Sequence, residues 1–419
     1  MTQRRRPPLS PEAAAVVRAQ LAVGHAQRSR AAGSMSRRAL LGGAGALGLG
    51  AALAACGTGG SSSSASDKPT AAKDTSKTDK TVNWANWPLY LDFDDKKKVY
   101  PTLEKFQKLD GIKATYDEAI EDNDSYYGKI QGQLKNGQDI GKDIVVFTDW
   151  MAARMIRQGY TQKLDKSVIP NAKNLLANLQ EPDFDPGRNY SLTWQSGYAG
   201  LAWNKAKLPK GLKNVSDLWD PALKGKVEVL SEFRDTLGLI MMEQGVDISK
   251  TFTDDQFGKA VEVLEKQLNS SQIRQVKGNS YTEDLKSGDV IAVIGWSGDI
   301  TTLNAENGNK WEFAIPEAGG TLWSDNLMVP IGSPHKENAE ILMNYYFDPA
   351  VAAEVAAYVN YICPVQGAQA EMEKINPDLA ENPFIFPTAE DLAKVKKFAS
   401  LPPAKETEYT SQFQTVLGV

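Results

Sequence analysis

The chain has 419 residues, 47 basic against 52 acidic, a net charge of −5 and 42% hydrophobic residues. An acidic balance of this kind argues against nucleic acid as a partner. Two histidines and two cysteines leave little from which to build a Ser-His-Asp enzyme or a histidine-rich metal centre, so no metal or other cofactor is expected.

Residues 1–34 are basic and lack apolar periodicity. Ser36-Arg37-Arg38-Ala39-Leu40-Leu41 follows, a twin-arginine export motif placed before a hydrophobic segment. That segment, Ala39 to Ala55, is Gly/Ala-rich and too short and weakly apolar for a membrane span. It ends in Leu53-Ala54-Ala55-Cys56, which resembles the bacterial lipobox, where the cysteine is lipid-modified and becomes the new N-terminus. Residues 1–55 are therefore expected to be a cleaved signal, and 56–80, rich in Gly, Ser, Thr and Lys, a flexible tether. The expected location is the outer face of the cytoplasmic membrane, anchored by lipid at Cys56.

Residues 1–55 take eight arginines and one glutamate with them, leaving 39 basic and 51 acidic residues and a net of −12. Cys363 then has no disulfide partner and reads as a small packed residue, and His335 is the sole histidine. Roughly 340 residues remain, room for two domains of ordinary size.

The folded part opens with a predicted strand over Thr81–Trp87 and a polar-aromatic turn, Asn86-Trp87-Pro88-Leu89-Tyr90. A helix through Leu103 and Phe106 should stop at Asp110-Gly111, followed by a strand over Ile112–Tyr116 and a helix carrying Tyr127, Ile130 and Leu134. Asp143-Ile144-Val145-Val146-Phe147 reads as a buried parallel strand leading into Thr148-Asp149-Trp150 and a further helix to Gly159. A second strand–helix set starts near Gly197. It contains Val227–Leu230, then Glu232-Phe233-Arg234-Asp235, then a helix opened by the capping box Thr253-Asp254-Asp255-Gln256. Later helices are expected near Ala339–Phe347 and Pro349–Tyr358. The alternation predicts an α/β fold.

Two copies of one short phrase then stand out. Trp296-Ser297-Gly298-Asp299 ends the apolar run 290–295, and Trp323-Ser324-Asp325-Asn326 precedes the run 327–330. Each sets an indole face beside a carboxylate at an expected strand end, where open α/β sheets gather ligand contacts. Both groups attract a cation, one through its quadrupole and the other through its charge. Trp87 with Tyr90, Thr148-Asp149-Trp150, and Glu232 with Asp235 repeat the same chemistry. An aliphatic polyamine needs such a set: carboxylates replace water at each ammonium, and aromatic faces sandwich the methylenes between.

Here the chain resembles the substrate-binding proteins of spermidine/putrescine ABC importers, from about Val82 to about Gln366. The resemblance is carried by Asn86-Trp87-Pro88-Leu89-Tyr90, Asp143–Val146, Phe184-Asp185-Pro186, Asp217-Leu218-Trp219, Lys224-Gly225, the 232–235 stretch, Trp296, Trp323-Ser324-Asp325, and Tyr361 with Pro364. It implies a two-lobed periplasmic-binding-protein-like fold of type II, with a cleft between lobes that close over the ligand. The lobes would be 81–196 plus 324–368 and 197–323 plus 369–419. It also implies a non-enzymatic monomer that delivers a polyamine, spermidine or putrescine, to an ABC permease. Trp87, Tyr90, Trp296, Trp323 and Tyr361 would be the aromatic walls, Asp325 the holder of the inner amine, and Glu232 with Asp235 the other end. Pro88, the acid at Asp149 and the Glu-then-Asp order at 232 and 235 depart from the family's pattern and bear on ligand length.

Other readings of the same residues stand beside this one. Glu232 and Asp235 can also be read as a solvated helical pair balanced by Arg234, and Asp149 and Asp299 as helix caps. The same cleft could hold another small cation or organic solute. A lipid-anchored glycoside hydrolase could use two of the carboxylates, although no one pair is singled out.

Overall fold

The computed structural model describes residues 68–120 and 122–418. The signal residues Arg37 and Arg38, the lipidation candidate Cys56 and the first part of the expected tether lie outside them.

β1 (Thr81–Ala85), α1 (Pro101–Asp110), β2 (Lys113–Asp117), α2 (Asn123–Lys135), β3 (Ile144–Thr148) and α3 (Asp149–Gln158) follow the expected alternation. Proline at the first turn starts α1, and glycines in the left-handed region stop two helices, Gly111 (φ 66°) after α1 and Gly159 (φ 74°) after α3. β1 lies parallel to both β2 and β3. On β3, Ile144 and Val146 join one hydrophobic cluster while Val145 and Phe147 join another. The period-2 alternation of a strand thus buries both faces of this half of the sheet.

β4 (Leu192–Asn204) is the longest strand. Beyond it come β5 (Val227–Leu230), α4 (Phe233–Glu243), α5 (Asp254–Asn269), β6 (Ile273–Lys277), α6 (Tyr281–Ser287), β7 (Ala292–Trp296), α7 (Ser297–Asn307), β8 (Trp311–Ala314) and β9 (Gly320–Met328). The predicted capping box opens α5: the Thr253 hydroxyl accepts from the Gln256 amide at 3.2 Å, and Gln256 returns the bond at 2.8 Å. The described residues end with α8 (Lys336–Tyr346), α9 (Pro349–Val359), α10 (Ala368–Ile375), α11 (Pro377–Ala380), α12 (Ala389–Ala393), β10 (Val395–Lys396) and α13 (Pro403–Leu417).

The sheet runs β2-β1-β3-β9-β4-β7-β5-β6, with β8 beside β4 and β10 beside β9. β4 and β9 tie its halves together. The start of β4 pairs with the end of β9, and its later residues pair with β7 and β8. β9 also pairs antiparallel with β3 over Asp325–Met328. A third crossing is made where Ser196 and Ile362 exchange backbone hydrogen bonds of 3.2 and 2.8 Å. Trp194 packs in the cluster of the first half and Tyr198 in that of the second, so the cores divide within β4.

Three expectations need correction. Trp323-Ser324-Asp325 does not end a strand; it lies inside β9, because antiparallel pairing with β3 and β4 carries the strand through it. The chain does not pass to the second lobe after residue 368. Met372, Ala380 and Ile385 still bury their side chains in the first lobe's cluster.

The last part of the expected tether is also ordered. Ala72 N–H donates to the Ile331 carbonyl at 3.0 Å, and Thr75 N–H to the Pro334 carbonyl at 2.7 Å. Ser76 is buried and its hydroxyl accepts from the Asn338 backbone N–H at 3.1 Å. Polar contacts, invisible to hydrophobic patterning, hold this strap against the first lobe. His335 sits between strap and lobe, 3.2 Å from Asp79 and 3.1 Å from Asp143. Burial opposes its charge, but the two carboxylates outweigh that and raise its pKa. Its stabilising contribution is therefore complete below the ordinary value of 6.5 and lost as pH rises through the raised one. Replacing His335 with Asn should lower the melting temperature at pH 6 and cost progressively less toward pH 9. A deficit that is constant with pH would rule out the charged clamp.

Candidate functional site

A cavity of about 1050 Å³ opens between the two halves, and all twelve candidate contact residues line it. Its floor is built from strand ends and crossing segments. Thr148 ends β3, Glu232 caps α4 just after β5, Trp296 ends β7, and Trp323 with Asp325 rides on β9.

Three carboxylates face into it, Asp325 and Asp235 buried and Asp299 half-buried. Asp325 is 5% exposed; it accepts from the Tyr90 hydroxyl at 2.8 Å and the Thr148 hydroxyl at 2.7 Å. Burial pushes its pKa up to about 7, which these two hydrogen bonds only partly offset, and nearby Asp149 adds to the rise. Asp235, 4% exposed, accepts from the Trp296 indole N–H at 2.8 Å and the Thr321 hydroxyl at 2.5 Å. Its pKa also rises to about 7, through burial and then the charge of Glu232. Asp299 accepts from the Tyr361 hydroxyl at 3.0 Å and the Asn279 amide at 3.1 Å, and burial raises it to about 6. Asp299 is the third residue of α7, so the helix-cap reading gives way to a cleft position.

The aromatic walls are keyed together around these acids. Tyr361 packs edge-on against Tyr90 with ring centroids 5.8 Å apart, and against Trp323 at 5.2 Å. Trp87 is anchored by its indole N–H, which donates to the Val146 carbonyl at 3.2 Å. Gly197 and Gly298 make this packing possible. A Cβ on Gly197 would collide with the Trp323 indole, and one on Gly298 would lie 2.5 Å from the Tyr361 ring.

Three candidates are placed differently from their expected roles. Glu232 does not stand free beside Asp235. It caps α4, accepting from the Arg234 backbone N–H and guanidinium at 3.2 Å each, so its charge is already matched. Asp149 makes no capping contact. It accepts from the Asn326 side-chain amide at 2.8 Å and steadies β9. Trp150 does not offer a free face: the Arg234 guanidinium lies 4.3 Å from its ring centroid and Arg154 5.0 Å.

Thr321, Tyr281, Gly197 and Gly298 also shape the site. Tyr281 accepts the Trp296 backbone N–H at 2.9 Å, and the others act as described above. Gly298 stood inside the repeated phrase, but a glycine chosen for a ring packed from a distant segment carries no local signal. Cys363 is buried, as a packed residue should be. Among the described residues no group of His, Cys, Asp and Glu is arranged for a metal, and no helix is long and apolar enough to cross a membrane.

Comparison with known proteins agrees with this architecture. The putrescine-binding periplasmic protein PotF of Escherichia coli is 29% identical over 334 residues, covering 75% of this chain and 85% of its own. The putrescine/agmatine-binding protein of Pseudomonas aeruginosa is 28% identical over 324 residues, covering 72% and 84%. Among solved structures, a putative spermidine/putrescine ABC transporter protein of Listeria monocytogenes superposes with a TM-score of 0.70 at 24% identity, over 80% of this chain and 98% of its own. The TpPotD lipoprotein of Treponema pallidum gives 0.68 at 19%, over 81% and 100%. These neighbours share the two-lobed, type II periplasmic-binding-protein-like fold. Residues 102–387 match the bacterial extracellular solute-binding protein family, a family of binding proteins rather than enzymes, and the chain belongs to it.

Proposed function

We propose that this protein is a non-catalytic polyamine receptor that captures its ligand outside the cytoplasmic membrane and delivers it to an ABC permease. One observation carries the reading. Asp325 and Asp235 are buried and Asp299 half-buried in one aromatic-walled cavity, and none hydrogen bonds to, or forms an ion pair with, a lysine or arginine among the described residues. Buried acids of this kind want a cation. Ammonium groups joined by methylenes supply the charges and also a stem for Trp87, Tyr90, Trp296, Trp323 and Tyr361 to cover. The polyamine-binding names of the relatives support the same substrate class. The twin-arginine motif and Cys56 support export followed by lipid anchoring, with the protein working as a monomer.

Thermal unfolding of the tether-free protein against putrescine, cadaverine, spermidine, spermine, choline and a set of oligosaccharides tests this. A polyamine at a hundred times its Kd should add about 2.7 kcal/mol and raise the midpoint visibly. No shift with any amine overturns the proposal.

A further inference from the structure

The cavity already contains one cation of the protein's own. Arg234, 9% exposed, lines it beside Asp235 and crosses from the second half of the fold to the first. Its guanidinium rests on the ring of Trp150, with centroid at 4.3 Å, and on Phe233 at the same distance. Nη1 pairs with Glu232 at 3.2 Å, and Nη2 faces Glu406 of α13 at 3.9 Å. Glu406 is in turn held by Arg154 at 2.6 Å and Arg157 at 3.1 Å, both from α3. Arg234 is thus fixed from both sides and is not a side chain drifting in the cleft.

This arrangement has the parts of an ammonium subsite: an indole face, a carboxylate and burial. The guanidinium fills it. Asp325, Asp235 and Asp299, set among the aromatic walls, remain without a cationic partner. We propose that Arg234 is a selectivity stop. It closes the Glu232–Trp150 end of the cleft, so that the site takes a two-amine ligand and refuses the third amine of a longer chain. A longer polyamine would have to place an ammonium against a fixed guanidinium or expel it from its four partners, and like charges brought together in a poorly hydrated cleft repel strongly. The inference rests on the polyamine reading above and adds to it which chain length is preferred and which residue sets it.

The test measures affinities for putrescine and spermidine, by calorimetry on the tether-free protein, in wild type, Arg234→Ala, Arg234→Lys and the double variant Arg234→Ala/Glu232→Gln. Wild type should prefer putrescine. Arg234→Ala frees Glu232 and the Trp150 face for a third ammonium, and should move the spermidine-to-putrescine ratio toward spermidine by about tenfold, the worth of one charge-assisted contact. Arg234→Lys keeps the positive charge and should keep the discrimination. The double variant removes the carboxylate that the third amine would use, and should lose the gain. Should Arg234→Ala fail to fold, Arg234→Gln retains volume without charge and serves in its place. A ratio unmoved by removing Arg234, or a wild type that already prefers spermidine, overturns the selectivity stop while leaving polyamine binding intact. A wild type that binds neither amine overturns both.

Discussion

Asp325→Asn is expected to weaken polyamine binding by about 2–5 kcal/mol, roughly thirtyfold to several thousandfold, while making the ligand-free protein more stable. The two effects share one cause. Folded, the carboxyl holds its proton to about pH 7, against an ordinary value of 3.8. Between these values the folded state binds more protons than the unfolded one, so stability falls as pH rises, by up to about 1.4 kcal/mol per unit before solvent relaxation. Above pH 7 the whole penalty is present. The Asn variant, which cannot ionise, should therefore melt higher than wild type at pH 8, and the gap should close toward pH 4.

The ligand reverses the sign, because an ammonium needs the ionised form. Affinity in wild type should rise from pH 5 to pH 8, with Asp325 and Asp235 each contributing up to about tenfold per unit below its own value. Calorimetry across this range checks the claim. A flat profile would mean that the carboxylates do not carry the binding.

Gly197→Ala is expected to abolish measurable polyamine binding at a modest cost in stability. The glycine pairs with Trp323 across β4 and β9 in a fully buried stretch. An added Cβ would strike the indole and lie 2.9 Å from Tyr361 Cδ1. Neither backbone can retreat, since both strands are paired on each side, so the two rings must turn out of their wall positions. Overpacking of this size costs about 1–3 kcal/mol, which a domain of ordinary stability survives. Gly128→Ala is the control: it lies in α2 with nothing within 4 Å of the new Cβ, and should leave binding unchanged. Equal affinity in Gly197→Ala and wild type would show that the aromatic wall contributes nothing.

Much of this architecture was legible from local pattern. Ile144–Phe147 could only be a buried strand, and Gly111 and Gly159 ended helices for the reason glycine usually does. The phrases at Trp296 and Trp323 pointed to one cleft because indole and carboxylate were repeated together. What stayed hidden depends on distant partners. Glu232 and Asp235 are three residues apart and looked equivalent. Helix capping turned the first onto Arg234, whereas β9 supplied Thr321 to bury the second. Trp150 looked free because the cation over it arrives from 84 positions further along the chain. The strap before β1 looked like linker because hydroxyl, amide and histidine contacts hold it, and those leave no periodic trace.

Placing Asp325 on β9 has a mechanical consequence. β9 is one of the segments that join the halves of the molecule, and its Asp325 is registered against Thr148 on one side and Gln195 on the other. An amine held there would lie where the halves join, with little lever arm for turning one against the other. Contacts made away from the join, such as Glu406 of α13 with Arg154 and Arg157 of α3, have the longer lever arm. With that geometry, a charge read where the halves join and ion pairs made away from the join have separate tasks, the first sensing a ligand and the second holding the halves together.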